Sequence, residues 1–126
     1  MANTFILDII TAVGGEPRDY ASPGEAVVVS VRLKNIGSQG MYISATGIWD
    51  STQLNFDPAY AWAEMLQTIY FRANFTMPNK NVKVTAYGWW LNGSQWLNDS
   101  WKEKDLLLPA AVPEFTDFCV TQYQKI

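Results

Sequence analysis

The residue types that carry most enzyme chemistry are scarce in this chain. It has no histidine and a single cysteine, Cys119. Without histidine, Ser-His-Asp and Cys-His nucleophilic sites, histidine acid–base catalysis and most zinc sites are excluded. Cys119 lies in an apolar stretch, where a lone cysteine is typically a small buried side chain. No P-loop or Gly-x-Gly-x-x-Gly motif occurs. We therefore expect a protein without enzymatic activity and without a cofactor.

Four aspartates near predicted strand ends are the remaining candidates for acid chemistry: Asp50, Asp57, Asp99 and Asp105. A glycosidase needs two carboxylates at a set separation across a cleft, and chain spacing alone does not place these four. Calcium binding at a loop through Asp50 or Asp57 stays open, although EF-hand spacing is absent. We expect these acids to be solvated and predict no metal site.

Aromatic side chains are the strongest candidates for a binding role, since the chain has six Trp, six Tyr and six Phe. The candidates are Tyr60, Trp62, Tyr87, Trp89 and Trp96. Three interpretations stay open for them. Core packing is the commonest role of such rings, a protein interface is the second, and a stacking platform for sugars is the third.

The charge balance argues against nucleic acid as a partner. The net charge is -3, and the densest charged stretch, residues 102–105, alternates in sign. Membrane insertion is not expected either, because the apolar run at residues 5–10 is short and contains Asp8. The first residues lack the basic segment of a signal peptide, so we expect a chain made without one.

Strand patterns dominate the chain. Residues 26–35 alternate between Val27, Val29, Val31 and Leu33 on one side and polar residues on the other, as in a half-buried strand. The other predicted strands are 5–13, 39–49, 68–77, 82–91 and a return strand that ends near Leu108. Residues 50–64 are predicted to be irregular, with a helical turn over 59–67.

The dipeptide Asn92-Gly93 is the strongest hairpin signal. A type I′ turn there places Trp89 opposite Trp96, and a bulge is predicted at Asn98-Asp99. With turns every eight to twelve residues, the pattern predicts an all-β, immunoglobulin-like Greek-key sandwich of about seven strands. The predicted sandwich spans residues 1–108.

Residues 109–126 are predicted to be a separate linker and one extra strand, residues 115–123. This strand would protect a sheet edge of its own sandwich or join the sheet of a neighbouring copy. Its partner-binding candidates are Phe115, Phe118 and Tyr123.

The stretch from Pro23 to Leu108 resembles the CARDB-like immunoglobulin-like modules. The resemblance rests on Pro23-Gly24-Glu25 before the strand that runs to Gly37, on residues 75–79, on residues 82–85 and on the Trp-rich hairpin. It implies the sandwich fold and a role in bacterial or archaeal surface proteins, or in structural proteins of phages and archaeal viruses. Such modules are usually repeated within long secreted proteins, whereas this chain carries one.

The function expected from these observations is a structural or assembly module. We expect a virion component, decorating a capsid or associated with a tail, or else a cell-surface protein. Its partners would be copies of itself, or a capsid or surface-layer protein, bound through sheet edges and an aromatic face. The alternative is a carbohydrate-binding or adhesion module that uses the Trp/Tyr platform.

Overall fold

The computed structural model describes residues 2–109, which form nine β-strands and no helix. The strands are β1 (Thr4–Val13), β2 (Glu16–Pro17), β3 (Ala26–Asn35), β4 (Met41–Trp49), β5 (Thr52–Leu54), β6 (Ala61–Ala63), β7 (Thr68–Thr76), β8 (Val82–Asn92) and β9 (Gln95–Leu106). Six of them are long, and β2, β5 and β6 have only two or three residues. No helix in this part of the chain is able to cross a membrane.

Two antiparallel sheets pack face to face. The first has the order β2-β1-β3-β7, and the second has the order β5-β4-β8-β9 with β6 also paired to β4. Because β3 pairs with β7 while β4 pairs with β8, the chain crosses between sheets three times in a Greek-key path. The structure confirms the predicted all-β, immunoglobulin-like sandwich.

The core lies between the sheets and follows the alternation of β3. Val27, Val29, Val31 and Leu33 are all fully buried, as their period of two predicts. Burial of each such side chain contributes about 1.5–3 kcal/mol to stability. The second sheet supplies the opposite wall with the buried side chains of Ile43, Val84 and Ala86.

The helical turn predicted over residues 59–67 is wrong. Strand β6 occupies the middle of this segment, because Ala61 and Ala63 alternate into the sandwich beside β4. A tight turn follows, in which the N–H of Gln67 donates to the carbonyl of Glu64 at 2.9 Å. Buried Asn35 fixes this turn, since its side-chain amide donates to the carbonyl of Ala63 at 3.0 Å. Tertiary pairing thus outweighs a local helical pattern.

The β8–β9 hairpin exists as predicted, but its turn lies one residue later in the chain. Next to the turn, each β8 residue therefore pairs with a β9 residue two positions beyond the predicted one. Asn92 pairs with Gln95 and Leu91 pairs with Trp96, so the loop residues are Gly93 and Ser94. Only Gly93 of this loop has a positive φ, 65°, which is typical of a type II′ turn with glycine first. The type I′ turn at Asn92-Gly93 and the pairing of Trp89 with Trp96 are therefore wrong.

The bulge predicted at Asn98-Asp99 is confirmed. Trp89 pairs with Asn98 and Gly88 pairs with Ser100, so Asp99 is the extra residue of β9. The carboxylate of Asp99 accepts hydrogen bonds from the backbone N–H of Asn3 at 2.7 Å and from the Thr4 hydroxyl. The bulge therefore ties the second sheet to the first strand of the other sheet.

The predicted extra strand and most of the predicted C-terminal segment lie outside the described residues. Phe115, Phe118 and Tyr123 belong to that part of the chain. The core described above involves residues 6–106.

Candidate functional site

The outer face of the second sheet carries the candidate aromatic residues. In β8 the even-numbered positions Val82, Val84 and Ala86 are buried, so the odd-numbered positions point away from the core. Tyr87 and Trp89 are therefore on the outer face. Trp90, by the same alternation, packs against the core.

The bulge in β9 brings two further indoles to this face. Trp96 lies opposite Leu91, and Trp101 lies opposite Tyr87, so both share the outer side of β8. Trp101 comes five positions after Trp96, and in a regular strand residues an odd number of positions apart point to opposite faces. The extra residue Asp99 shifts the alternation by one and places both indoles outside.

Strands β4 and β6 complete the cluster. Tyr42 of β4 lies opposite Trp62 of β6, with ring centroids 5.1 Å apart and an interplanar angle of 79°. Tyr60 contacts Tyr42 edge-on at 5.7 Å and Trp96 at 6.1 Å. We call the set Tyr42, Tyr60, Trp62, Tyr87, Trp89, Trp96 and Trp101 the aromatic face.

Five of these rings are substantially open to solvent. The exposed fractions are 64% for Trp101, 58% for Tyr60, 48% for Trp62, 41% for Tyr42 and 36% for Trp96. Tyr87 and Trp89 are half-buried. Trp49, which packs against the core, is by contrast half-buried and stacks on Phe75 at 4.9 Å. Core packing is therefore not the role of the five exposed rings.

Two indole N–H groups of the aromatic face are hydrogen-bonded within the chain. The indole N–H of Trp89 donates to the hydroxyl of Thr46 at 2.7 Å, and that of Trp62 donates to Glu64 at 2.8 Å. The hydroxyl of Ser44 donates to the carbonyl of Ala59 at 2.7 Å.

The outer face of the first sheet has a different chemistry. Asp8 and Arg32 form an ion pair there, and the guanidinium of Arg72 lies 5.4 Å from the ring centre of Tyr70. The hydrogen bonds from Arg32 lower the pKa of Asp8, and Asp8 in turn raises the pKa of Arg32. One side of the sandwich is therefore charged and the other is aromatic.

Two of the four carboxylates considered for acid chemistry, those of Asp50 and Asp99, are engaged in structure. The carboxyl of Asp50 accepts the backbone N–H of Lys83 at 3.2 Å, and this hydrogen bond lowers its pKa. Asp57 bonds through its backbone to Arg72 of β7, and Asp99 anchors β1. Among residues 2–109, no group of three or more acidic or cysteine side chains could hold a metal ion.

All five described candidates from the sequence lie on the aromatic face: Tyr60, Trp62, Tyr87, Trp89 and Trp96. Sequence reasoning missed Tyr42 and Trp101. Tyr42 had a usable signal, because it alternates with the inward residues Met41 and Ile43 of a predicted strand. Trp101 also had a usable signal, because the predicted bulge at Asn98-Asp99 reverses the alternation of side chains in the residues of β9 that follow it.

No protein-family model matches the chain, and no curated protein sequence matches it significantly. Solved structures do match. One is a chain in the crystal structure of the complex between Zinc 2-glycoprotein and prolactin-inducible protein from human seminal plasma. It has a TM-score of 0.53 and 14% identity, and the match covers 86% of this chain and 100% of that chain.

Two further structures match more distantly. The human CEP192 PapD-like domain 7 has a TM-score of 0.48 and 8% identity, with 80% of this chain and 84% of that chain covered. The N-terminal domain of PorA has a TM-score of 0.36 and 8% identity, and the match covers 80% of this chain and 97% of that chain. At 14% identity, the seminal-plasma match shows the fold alone, which is an immunoglobulin-like β-sandwich.

Proposed function

We propose that this chain is a non-catalytic structural module that assembles with a protein partner, in the first place with copies of itself, through the aromatic face. The observation that carries the proposal is the exposure of five large rings on one sheet face. Water-exposed aromatic surface is costly, and Trp and Tyr are enriched at the centres of protein interfaces.

The size of the aromatic face suits this role. Large aromatic side chains bury about 150–250 Å² each, so five rings exposed by a third to two-thirds offer on the order of 500 Å². A stable interface needs about 800 Å² from each partner. Neighbouring outer residues such as Ile48 and Leu91 extend the patch toward that area.

The ring geometry favours a protein partner over a sugar. A sugar platform presents coplanar rings, whereas these rings meet at 51–81°. The indole N–H groups of Trp62 and Trp89 already donate to acceptors within the chain. A buried interface needs its polar groups satisfied in this way.

The proposal for the larger assembly to which this protein belongs depends on the sequence alone. We propose a virion component, on a capsid or a tail, because residues 23–108 resemble CARDB-like modules of viral structural and cell-surface proteins. A capsid or surface-layer protein would then be the second partner. Sheet edges, including the segment 115–123, would contribute to the same assembly.

The test of self-assembly is the mass of the pure full chain by multi-angle light scattering over a concentration series from about 1 to 500 μM, the range in which weak interfaces associate. We expect a mass that rises above that of one chain. A chain that stays monomeric over the whole range would contradict assembly with itself.

Carbohydrate binding is the second candidate function. One observation favours it, a cleft of about 280 Å³ with Tyr60, Trp89 and Trp96 in its walls. A glycan array probed with the wild type and with Trp89→Ala decides between the two. Binding that is lost in the variant would support the sugar site, and an array without wild-type binding would exclude it.

A further inference from the structure

The cleft on the aromatic face has the properties of a socket for one apolar ring. It lies between the segment before β6 and the β8–β9 hairpin, and it measures about 280 Å³. Its walls are the side chains of Ser44, Thr46, Ala59, Tyr60, Trp89 and Trp96. None of these is charged. The hydroxyl of Ser44 and the indole N–H of Trp89 are bonded within the chain, so these two donors keep their partners when a ring enters.

A matching projection lies on the same face. Trp101 is 64% exposed, more than any other large apolar side chain among residues 2–109. It stands opposite Tyr87, and Tyr87 is two residues from Trp89 along β8. The projection and the socket are therefore about 7 Å apart along the strand direction and one strand apart across the sheet.

A second copy of the chain supplies the occupant. In a two-fold dimer the same patch meets itself, so each copy offers both a projection and a socket. We propose that Trp101 of each copy inserts into the Tyr60–Trp89–Trp96 cleft of the other, with the two-fold axis between them. This inference rests on the proposed function, since it names the contact through which the aromatic face associates.

The residues that line the cleft, and the projecting Trp101, are uncharged. The charged groups around the face are Lys83 and Glu103, which form an ion pair at 3.5 Å, and Glu64, whose carboxylate accepts the Trp62 indole N–H at 2.8 Å. The reciprocal contact also covers the most exposed indole, which is otherwise in water. Hot-spot residues typically fill such desolvated pockets and are most often Trp, Tyr or Arg.

The experiment measures dimer dissociation constants of the full chain by sedimentation velocity. Trp101→Ala removes the projection, and Ala59→Phe fills the socket from its exposed rim. One hot spot contributes about thirty-fold, and a dimer of either variant loses both reciprocal contacts, so each variant alone is expected to weaken dimerisation on the order of a thousand-fold. Tyr70→Ala, on the opposite sheet, is the matched control and is expected to leave the constant unchanged. Circular dichroism melts confirm that all variants fold.

A mixture of the two variants gives the sharpest result. The socket of Trp101→Ala and the projection of Ala59→Phe are both intact, so the mixed dimer regains one of the two contacts. We expect it to dissociate at a concentration between those of the wild type and the single variants. Full dimerisation of Trp101→Ala, or a mixture no tighter than either variant, would overturn the arrangement while leaving assembly intact. A monomeric wild type would overturn the proposed self-assembly itself.

Discussion

At the residue scale, Leu66 has a conformation that its side chain disfavours. Its φ is 69°, in the left-handed region, and its side chain is 60% exposed. The turn is held in place by buried Asn35, whose backbone carbonyl accepts the N–H of Leu66 at 2.9 Å. Glycine or asparagine normally occupies such a position because other residues clash there.

Leu66→Gly is therefore expected to stabilise the fold by about 0.5–1 kcal/mol, the strain relieved less the entropy cost of glycine. Met65→Gly is the matched control, since Met65 has an ordinary φ in the same turn, and it should destabilise the fold by a similar amount. Urea unfolding measures both. A loss of stability in Leu66→Gly would contradict this account of the turn.

The ion pair of Asp8 and Arg32 gives a pH dependence at the same scale. Arg32 donates from its Nε to Asp8 at 2.8 Å, and this lowers the pKa of Asp8 below its ordinary value of 3.8. The stabilisation is present above pH 4 and is lost as the pH falls through the depressed pKa. Both side chains are about one-third exposed, so the effect is small.

Comparing the wild type with Asp8→Asn by urea unfolding at pH 7 and below pH 3 tests this. We expect the wild type to be more stable at pH 7 and the difference to shrink as the pH is lowered. A difference that grows on acidification would show that Asp8 is not stabilised in its charged form.

At the element scale, the bulge in β9 determines which of its indoles lie on the aromatic face. Gly88 of β8 stands opposite Ser100, just beyond the bulge, where the two sheets approach closely. A Cβ on Gly88 would lie 2.2 Å from the Ser100 hydroxyl, 2.8 Å from a methyl of Leu33 and 2.9 Å from the Thr4 hydroxyl. Glycine is therefore required at this position for steric reasons.

Gly88→Ala is expected to destabilise the sandwich by about 3 kcal/mol, at the upper end of overpacking effects. Adding Ser100→Ala should restore only part of this, because the contacts with Leu33 and Thr4 remain. Thermal unfolding of both variants measures the loss. Wild-type stability in Gly88→Ala would mean that the strands are farther apart than described.

The strands illustrate what the sequence can and cannot predict. The alternation of Val27 to Leu33 predicts β3 and its buried side correctly, because a strand in a sandwich has one face buried against the other sheet and one face toward solvent. The hairpin was misplaced because Asn92-Gly93 satisfies local turn preferences, whereas the register depends on pairing along the whole of β8 and β9. Strand β6 was missed because three residues carry almost no periodicity, and its pairing with β4 is a tertiary contact.

The same limit applies to the aromatic face. Composition and alternation identified five of its seven residues, but the face on which the β9 indoles lie depends on how the bulge at Asp99 shifts the alternation of that strand. Trp101 falls on the outer face only because of that single extra residue. Sequence patterns indicate on which face of a sheet a side chain lies as long as the strand is regular. They no longer do so beyond a β-bulge.

At the scale of the whole molecule, the two outer faces of the sandwich have opposite chemistry. The first sheet presents the charged side chains of Asp8, Arg32 and Arg72, and the second presents the aromatic face. The proposed assembly uses only the second of these faces. Since the aromatic face is almost uncharged, assembly through it is expected to depend little on ionic strength.

Hydroxyl-radical footprinting of the wild type, below and above its association concentration, tests the central claim most directly. We predict that oxidation of Trp62, Trp96 and Trp101 falls on assembly, because the aromatic face becomes buried. Tyr70, exposed on the charged face, should be oxidised equally in both states. Unchanged oxidation of the three indoles in the assembled protein, with protection of Tyr70 instead, would contradict the account.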